Sequence, residues 1–383
     1  MSVTAAKGFT AAGVAAGIKA SGKPDLALVI NEGPSDVAAG VFTSNRVKAA
    51  PVLWSQQVLK TQRLKAVVLN SGGANACTGP DGFADTHKTA EKVAETLRIG
   101  AGEVAVCSTG LIGERLPMDR ILSGIEAAAT ALSSSGGADA AEAICTTDTV
   151  SKQASVTRGT WTVGGMAKGA GMLAPGLATM LVVITTDADV DKAAAESALR
   201  SATRITFDRL DSDGCMSTND TVLLLASGAS GTSPTPGEFA AAVTTVCDEL
   251  AAQLMADAEG ATKDIAIEVI NARSEREAVE VGRAIARNNL LKCALFGNDP
   301  NWGRVLAAIG TTKAAFEPDQ LDVSMNGVQI CRAGAAGDDR SLVDLTPRAV
   351  RILVDLHAGE HAATIRTNDL SHAYVDENSA YSS

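Results

Sequence analysis

The sequence predicts an α/β protein, and three observations carry that expectation. Short runs rich in leucine and β-branched residues recur along the 383 residues, alanine-rich stretches of helical period separate several of them, and glycine (36) is plentiful while aromatics make up only 3%. Apolar runs of strand length bounded by turn signals read as buried strands. Their alternation with helical segments is the pattern of an α/β fold, and small side chains let helices lie close on sheets. The length suits two packed lobes or one large α/β domain better than a single small core.

In chain order, "LALVIN" (26–31), "KAVVLN" (65–70) and "EVAVCST" (103–109) read as strands. Helical period follows over 81–98 and 119–133, and "SSSGG" (133–137) is a loop. "ATMLVVIT" (178–185), with Val182, Val183 and Ile184 in succession, reads as a buried strand, then a helix over 190–202 and a strand over 221–227. "SGASGTSPTPG" (227–237) is a loop and a candidate subdomain edge before a long helix over 237–257. That helix is expected to stop at Gly260, a natural residue just past a helix end. "DIAIEVI" (264–270) and "KCALFG" (292–297) read as two more strands. "FGNDPNWGR" (296–304) gives a proline turn with Trp302 and Arg304 at a helix start.

Charge and composition narrow the function. A net charge of −11 without a basic block makes nucleic acid and anionic membrane surfaces poor partners. No run approaches the roughly 18 apolar residues of a membrane span, and "MSVTAAKGFTAAG" lacks the layout of a signal peptide; a cytoplasmic protein is expected. Seven scattered cysteines without a CxxC fit reduced, mostly structural thiols. "HAGEH" sets His357 and His361 four apart, a spacing that can share a metal on a helix. The glycine between them and the lack of a third ligand weigh toward a surface helix end instead, so no metal site is expected. Neither "SGGANACTG" (71–79) nor "STGLIGERLPMD" (108–119) matches a phosphate-cradling motif, which disfavours nucleotide binding.

Those two loops still matter, because open α/β sheets gather ligands where strands end. Lys168 is the lone charge in "GGMAKGAGM", either a solvated loop lysine or a partner for a substrate carboxylate. Asp257 and Glu259 sit at the negative end of the preceding helix dipole, where cations are preferred. An acid placed there suits a site that receives a cation, although a solvent-screened misfit costs only about 0.3–1 kcal/mol. "MSTNDT" (216–221) concentrates hydroxyls and an amide before a strand. Thr179 stands where a loop of glycine, alanine and proline meets a buried strand. A threonine hydroxyl is a weak nucleophile unless a base adjoins it, and one remedy is to make it the first residue of a chain, whose own α-amine takes the proton. That requires cutting the Ala178–Thr179 bond; the alternative is a plain strand-opening threonine.

The stretch "KGAGMLAPGLATMLVVITTDA" resembles the signature of the glutamate N-acetyltransferase, or ornithine acetyltransferase, family. "GVFTSNRVKAAPV" (40–52), "SGGANACTG", "STGLIG", "CTTDT" (145–149), "STNDT", "AEGATK" (258–263), "FGNDPNWGR" and the tail "YVDENSAYSS" agree and extend the likeness over nearly the whole chain. The family more often has "GSGMIHPNMATM" where this chain has "GAGMLAPGLATM", a change in the loop that removes no matched catalytic group.

The resemblance implies self-cleavage between Ala178 and Thr179, with the freed Thr179 carrying an acetyl group. It implies an oxyanion hole from the Thr109 side chain and the Gly110 N–H, and substrate contacts from Lys168, Thr146 or Thr147, Thr179, Glu259, Asn378 and Ser383. The implied reaction is ping-pong transfer of acetyl from N-acetylornithine to glutamate in arginine biosynthesis, with no cofactor and with acetyl-CoA as an optional second donor. The substrate α-carboxylate would meet Lys168 and the ornithine ammonium Glu259. The implied fold is an α-β-β-α sandwich built jointly by fragments 1–178 and 179–383, assembled as α2β2. The rival reading is an N-terminal-nucleophile amidase or aminopeptidase that passes the acyl group to water.

Overall fold

The computed structural model describes residues 2–173 and 180–380. Strands β1 (Phe9–Val14), β2 (Leu26–Asn31) and β3 (Val37–Phe42) lead into helix α1 (Ala50–Val58). Next come β4 (Ala66–Gly73), α2 (Gly79–Leu97), β5 (Val104–Leu111), α3 (Met118–Thr130) and α4 (Gly137–Ala143). The hairpin β6 (Lys152–Arg158) and β7 (Trp161–Lys168) is followed by β8 (Leu181–Thr186), α5 (Lys192–Ile205), β9 (Thr221–Ala226) and α6 (Pro236–Ala256). The last third holds β10 (Asp264–Ala272), α7 (Glu275–Ala286), α8 (Asn289–Phe296) and α9 (Trp302–Ile309). It continues with β11 (Asp322–Met325), β12 (Val328–Arg332), β13 (Ala335–Ala336), β14 (Ala349–Asp355), β15 (His361–Asn368) and α10 (His372–Ala380).

Three sheets result, in strand orders β1-β2-β4-β5, β3-β9-β8-β7-β6 and β13-β12-β11-β14-β10-β15. The period-2 alternation of strands explains how the first two stack. Leu181 and Val183 of β8 share one core with Val29, Leu69 and Cys107 of the four-stranded sheet. Their neighbours Val182 and Ile184 face the other way, onto Leu199 of α5 and Val243 and Leu250 of α6. The outer face of the four-stranded sheet, through Leu28, Val68 and Val106, packs on Val93 of α2 and Ile121 and Ile125 of α3. The expected α-β-β-α sandwich is therefore observed, and each fully buried aliphatic side chain in it contributes about 1.5–3 kcal/mol.

Helix α6 is long and apolar enough to cross a bilayer by composition, but Phe239, Val243, Val246 and Leu250 are buried against the sheet. It starts with a capping box, in which Thr235 and Glu238 satisfy each other's backbone N–H groups. It ends at Ala256, with Asp257 as its C-cap, before the expected stop at Gly260. Residues 227–235 join β9 to α6, a strand and a helix of adjacent layers that share one core.

Two expectations are corrected here. Residues 292–297 form the end of α8, not a strand: the Asn288 side chain accepts from the Leu291 N–H and starts a helix there. His357 and His361 share no helix, for His357 lies in the turn after β14 and His361 opens β15. Of the third sheet the sequence announced only β10, read there as a strand over 264–270. β10, second from one edge of that sheet, packs through Ile265, Ile267 and Val269 on Val281 and Ile285 of α7. Asn368, at the end of β15, ties it to the sandwich by donating to the Met255 (3.1 Å) and Lys263 (3.0 Å) carbonyls.

Candidate active site

Strands β4 and β5 run parallel and end at one edge, with Ser71 beside Thr109 and Gly72 beside Gly110. Thr109 and Gly110 thus belong to a strand rather than to the loop after it. Gly110 has φ +131°, and a Cβ there would lie 2.5 Å from the Gly73 nitrogen, so only glycine fits. Asn219 holds this edge from the next sheet, its amide donating to the Ala74 (2.6 Å) and Ser108 (2.8 Å) carbonyls.

Lys168 closes β7, paired with Leu181 of β8, and is 2% exposed. It is a buried strand residue, not a solvated loop lysine. Its Nζ donates to Thr146 Oγ1 at 2.6 Å and Thr109 Oγ1 at 3.4 Å, and lies 3.7 Å from Asp148 Oδ2. Asp148 also accepts from the Gly169 N–H at 2.6 Å and from Lys152 Nζ at 2.6 Å. Lys152, itself fully buried, reaches Asp257 Oδ2 at 2.5 Å. Burial alone would raise the Asp148 carboxyl; the charges of Lys168 and Lys152 reverse that and hold it well below the usual range. The acid Asp257, read as a misfit against the helix dipole, is thus the partner of a buried lysine.

Glu259 is anchored by its N–H to the Ala170 carbonyl (3.0 Å), and its Oε1 accepts from Thr147 Oγ1 at 2.7 Å. Gly171 leaves room for it, since a Cβ at that position would sit 2.7 Å from the carboxylate oxygens. Opposite, Asp220 is completely buried, and Oδ1 accepts from the Met180 N–H at 3.1 Å. Burial pushes its carboxyl well above the usual range.

One cavity gathers these groups: Thr109, Gly110, Thr146, Thr147, Lys168, Glu259 and, from α10, Asn378 all line it. Both candidate threonines of "TTDT" are present, one bonded to Lys168 and the other to Glu259. Ala178, Thr179 and Ser383 lie outside the described residues. Ser217, Thr218 and Asn219 complete the wall; their hydroxyls and amide were visible in "MSTNDT", but nothing local separates such a wall from a turn. The chemistry on offer is recognition of a small zwitterion, with a fixed cation at Lys168 and a carboxylate at Glu259. The same wall carries the Thr109 hydroxyl and the Gly110 backbone.

The profile of the ArgJ family matches residues 10–383. The arginine biosynthesis bifunctional protein ArgJ of Streptomyces coelicolor is 71% identical over 383 residues, covering 100% of both chains. Its counterpart in Mycobacterium leprae is 61% identical over 100% of this chain and 96% of that one. A solved ornithine acetyltransferase complexed with ornithine, from Mycobacterium tuberculosis, is 64% identical, covers 47% of this chain and 96% of its own, and has a TM-score of 0.45.

Proposed function

The chain belongs to the ArgJ family and is an acetyltransferase of arginine biosynthesis, and from that premise we propose that Thr179 carries the acetyl group it moves from N-acetylornithine to glutamate. The observation behind this reading is the convergence of Thr109, Gly110, Lys168, Glu259 and Asn378 on one cavity. Met180, the covalent neighbour of Thr179, is held by its N–H on the buried Asp220, the residue after Asn219 of the cavity wall.

In this mechanism the Thr179 hydroxyl first attacks the Ala178 carbonyl carbon, the acyl group shifts from nitrogen to oxygen, and water hydrolyses the ester. The products are a carboxylate on Ala178 and a free α-amine on Thr179. The five-stranded sheet draws β3, β6 and β7 from one side of that bond and β8 and β9 from the other. The fragments 1–178 and 179–383 therefore remain one folded body, which we take to assemble as α2β2.

The freed α-amine then accepts the hydroxyl proton as Thr179 attacks the acetyl carbonyl of N-acetylornithine. Thr109 and Gly110 stabilise the tetrahedral oxyanion, and the proton passes to the departing ornithine amine. The α-amine of glutamate attacks acetyl-Thr179 in the second half-reaction and releases N-acetylglutamate. Lys168 receives the α-carboxylate of either amino acid. Thr146 and Thr147 orient Lys168 and Glu259, and Asn378 and Ser383 close the site from the tail. Acetyl-CoA would acylate the same hydroxyl as a donor substrate, with no bound cofactor.

Intact mass spectrometry tests the reading. The purified protein is expected as pieces of 178 and 205 residues (383 in all), with Thr179→Ala remaining whole and inactive. An uncut wild type that transfers acetyl at full rate would sink the mechanism. Release of free acetate without labelled N-acetylglutamate would favour the amidase.

A further inference from the structure

A second concavity, about 860 Å³ in volume, lies between α7 and the turn that follows α5. Its lining carries five guanidinium groups, from Arg204, Arg209, Arg276, Arg283 and Arg287. The chain as a whole has a net charge of −11, so this surface runs against the overall balance. Three acids, Asp208, Glu275 and Glu280, share the groove with these five cations. Glu275 takes both Arg204 and Arg209, and Glu280 accepts from the Lys313 N–H at 2.7 Å.

The cationic side is left in excess. Among the described residues, neither Arg276 nor Arg283 has a carboxylate at salt-bridge distance. Arg283 donates Nη2 to the Asp208 carbonyl at 2.9 Å, while its buried Nε has no hydrogen-bond partner among the described residues. Nη1 of Arg209, a residue only 7% exposed, likewise has none among the described residues. Burial pushes both guanidinium groups down from their ordinary values; Glu275 beside Arg209 and Asp211 beside Arg283 offset part of this, and a neighbouring arginine works against each. An anion against this surface relieves both effects, and the planar donor fork of arginine matches oxyanions bidentately.

The groove is also joined to the catalytic cavity. Arg287 Nε donates to Asp211 Oδ2 at 2.8 Å, at the start of the segment 211–219. Met216 of that segment lines the groove, and the next residues, Ser217, Thr218 and Asn219, line the cavity. Between them, Asp213 Oδ2 accepts from the Leu173 N–H at 3.2 Å. We propose that the arginine groove binds a multiply charged oxyanion, a phosphate or a polycarboxylate, and that its occupancy is transmitted through residues 211–219 to the acetyl-transfer site. No residue of the transfer chemistry lies in the groove, so the two sites are separable by mutation.

The test titrates the active enzyme with pyrophosphate and with citrate at constant ionic strength, using chloride as the control. Binding is read by calorimetry and by the melting temperature, and transfer by steady-state kinetics. Expected are saturable binding of at least one oxyanion, at least tenfold weaker binding in Arg283→Gln, and unchanged basal turnover in that variant. Saturating anion should shift KM for at least one amino-acid substrate at least twofold in the wild type and not in the variant. Pyrophosphate alone binding identifies a phosphate site, citrate alone a polycarboxylate site, and both the shared oxyanion chemistry. Should Arg283→Gln fail to fold, Arg276→Gln, at an exposed position, carries the same comparison. Absence of saturable binding above chloride, undiminished binding in the folded variants, or kinetics indifferent to saturating anion each overturns the proposal.

Discussion

Two regions flanking the cavity bury carboxylates and give them opposite characters. Beneath it, Asp148 touches both Lys152 and Lys168, and the lysines hold it ionised far below the usual range. In the segment 211–220, burial pushes Asp211 up to about 6 and raises Asp213 and Asp220 as well. Among the described residues, Asp211 has one countercharge in contact, the exposed Arg287, and Asp213 and Asp220 are held by backbone N–H groups. Desolvation acts on all of them; the number of cations in contact decides the outcome. One region is a fixed electrostatic floor across the neutral range, and the other responds to pH.

The comparison breaks most visibly at Asp148. Among the described residues, Asp148→Ala leaves Lys152 with Asp257 as its one carboxylate, beside the Val150 carbonyl, and Lys168 with hydroxyl partners. Removing one member of a buried ion network costs about 3–5 kcal/mol. Chemical denaturation should report a loss of that size, with transfer activity falling because Lys168 is no longer held. A loss under about 1 kcal/mol would mean that solvent reaches the network and that the floor is not fixed.

The pH-responsive side is sharpened by Asp211→Asn. The wild-type carboxyl moves from 3.8 to about 6 on folding. Below 3.8 it is protonated in both states and carries no penalty. As pH rises through 6 the folded state must ionise it, and stability is lost across that window. Asparagine removes the titration, so the stability of the variant relative to wild type should improve by about 2 kcal/mol between pH 4.5 and 7.5. Parallel stability–pH curves would show that Asp211 is ionised throughout, as Asp148 is.

The same contrast explains what could be read in the chain. Runs such as "LALVIN" and "TVLLLAS" announce themselves because both faces of those strands are buried, and alanine-rich helices show their period. The run at 292–297 has six residues, too few to separate a strand from a helix turn, and the cap at Asn288 decides it. Strands β14 and β15 alternate exposed and buried positions with arginine and threonine among them, so no apolar run marks them. In the site, Thr109, Gly110, Lys168 and Glu259 were legible through motif resemblance. The glycines of "WTVGGMAK" hid the strand that buries Lys168. The network could not be read, because Lys152 finds Asp257 105 residues away and local spacing carries no trace of such a pairing.

Glu259 lies between the two regimes and yields the smallest expected effect. Its backbone is pinned to Ala170 and its carboxylate to Thr147, so Glu259→Gln keeps the shape and removes the charge. On the proposed binding mode, N-acetylornithine would bring an ammonium to this acid and glutamate a carboxylate. The variant should raise KM for N-acetylornithine about tenfold, near 1.4 kcal/mol, while KM for glutamate stays level or falls. The ratio of the two KM values isolates charge from folding, because a damaged cavity would raise both. If both rise together, Glu259 supports the cavity wall and does not choose between the substrates.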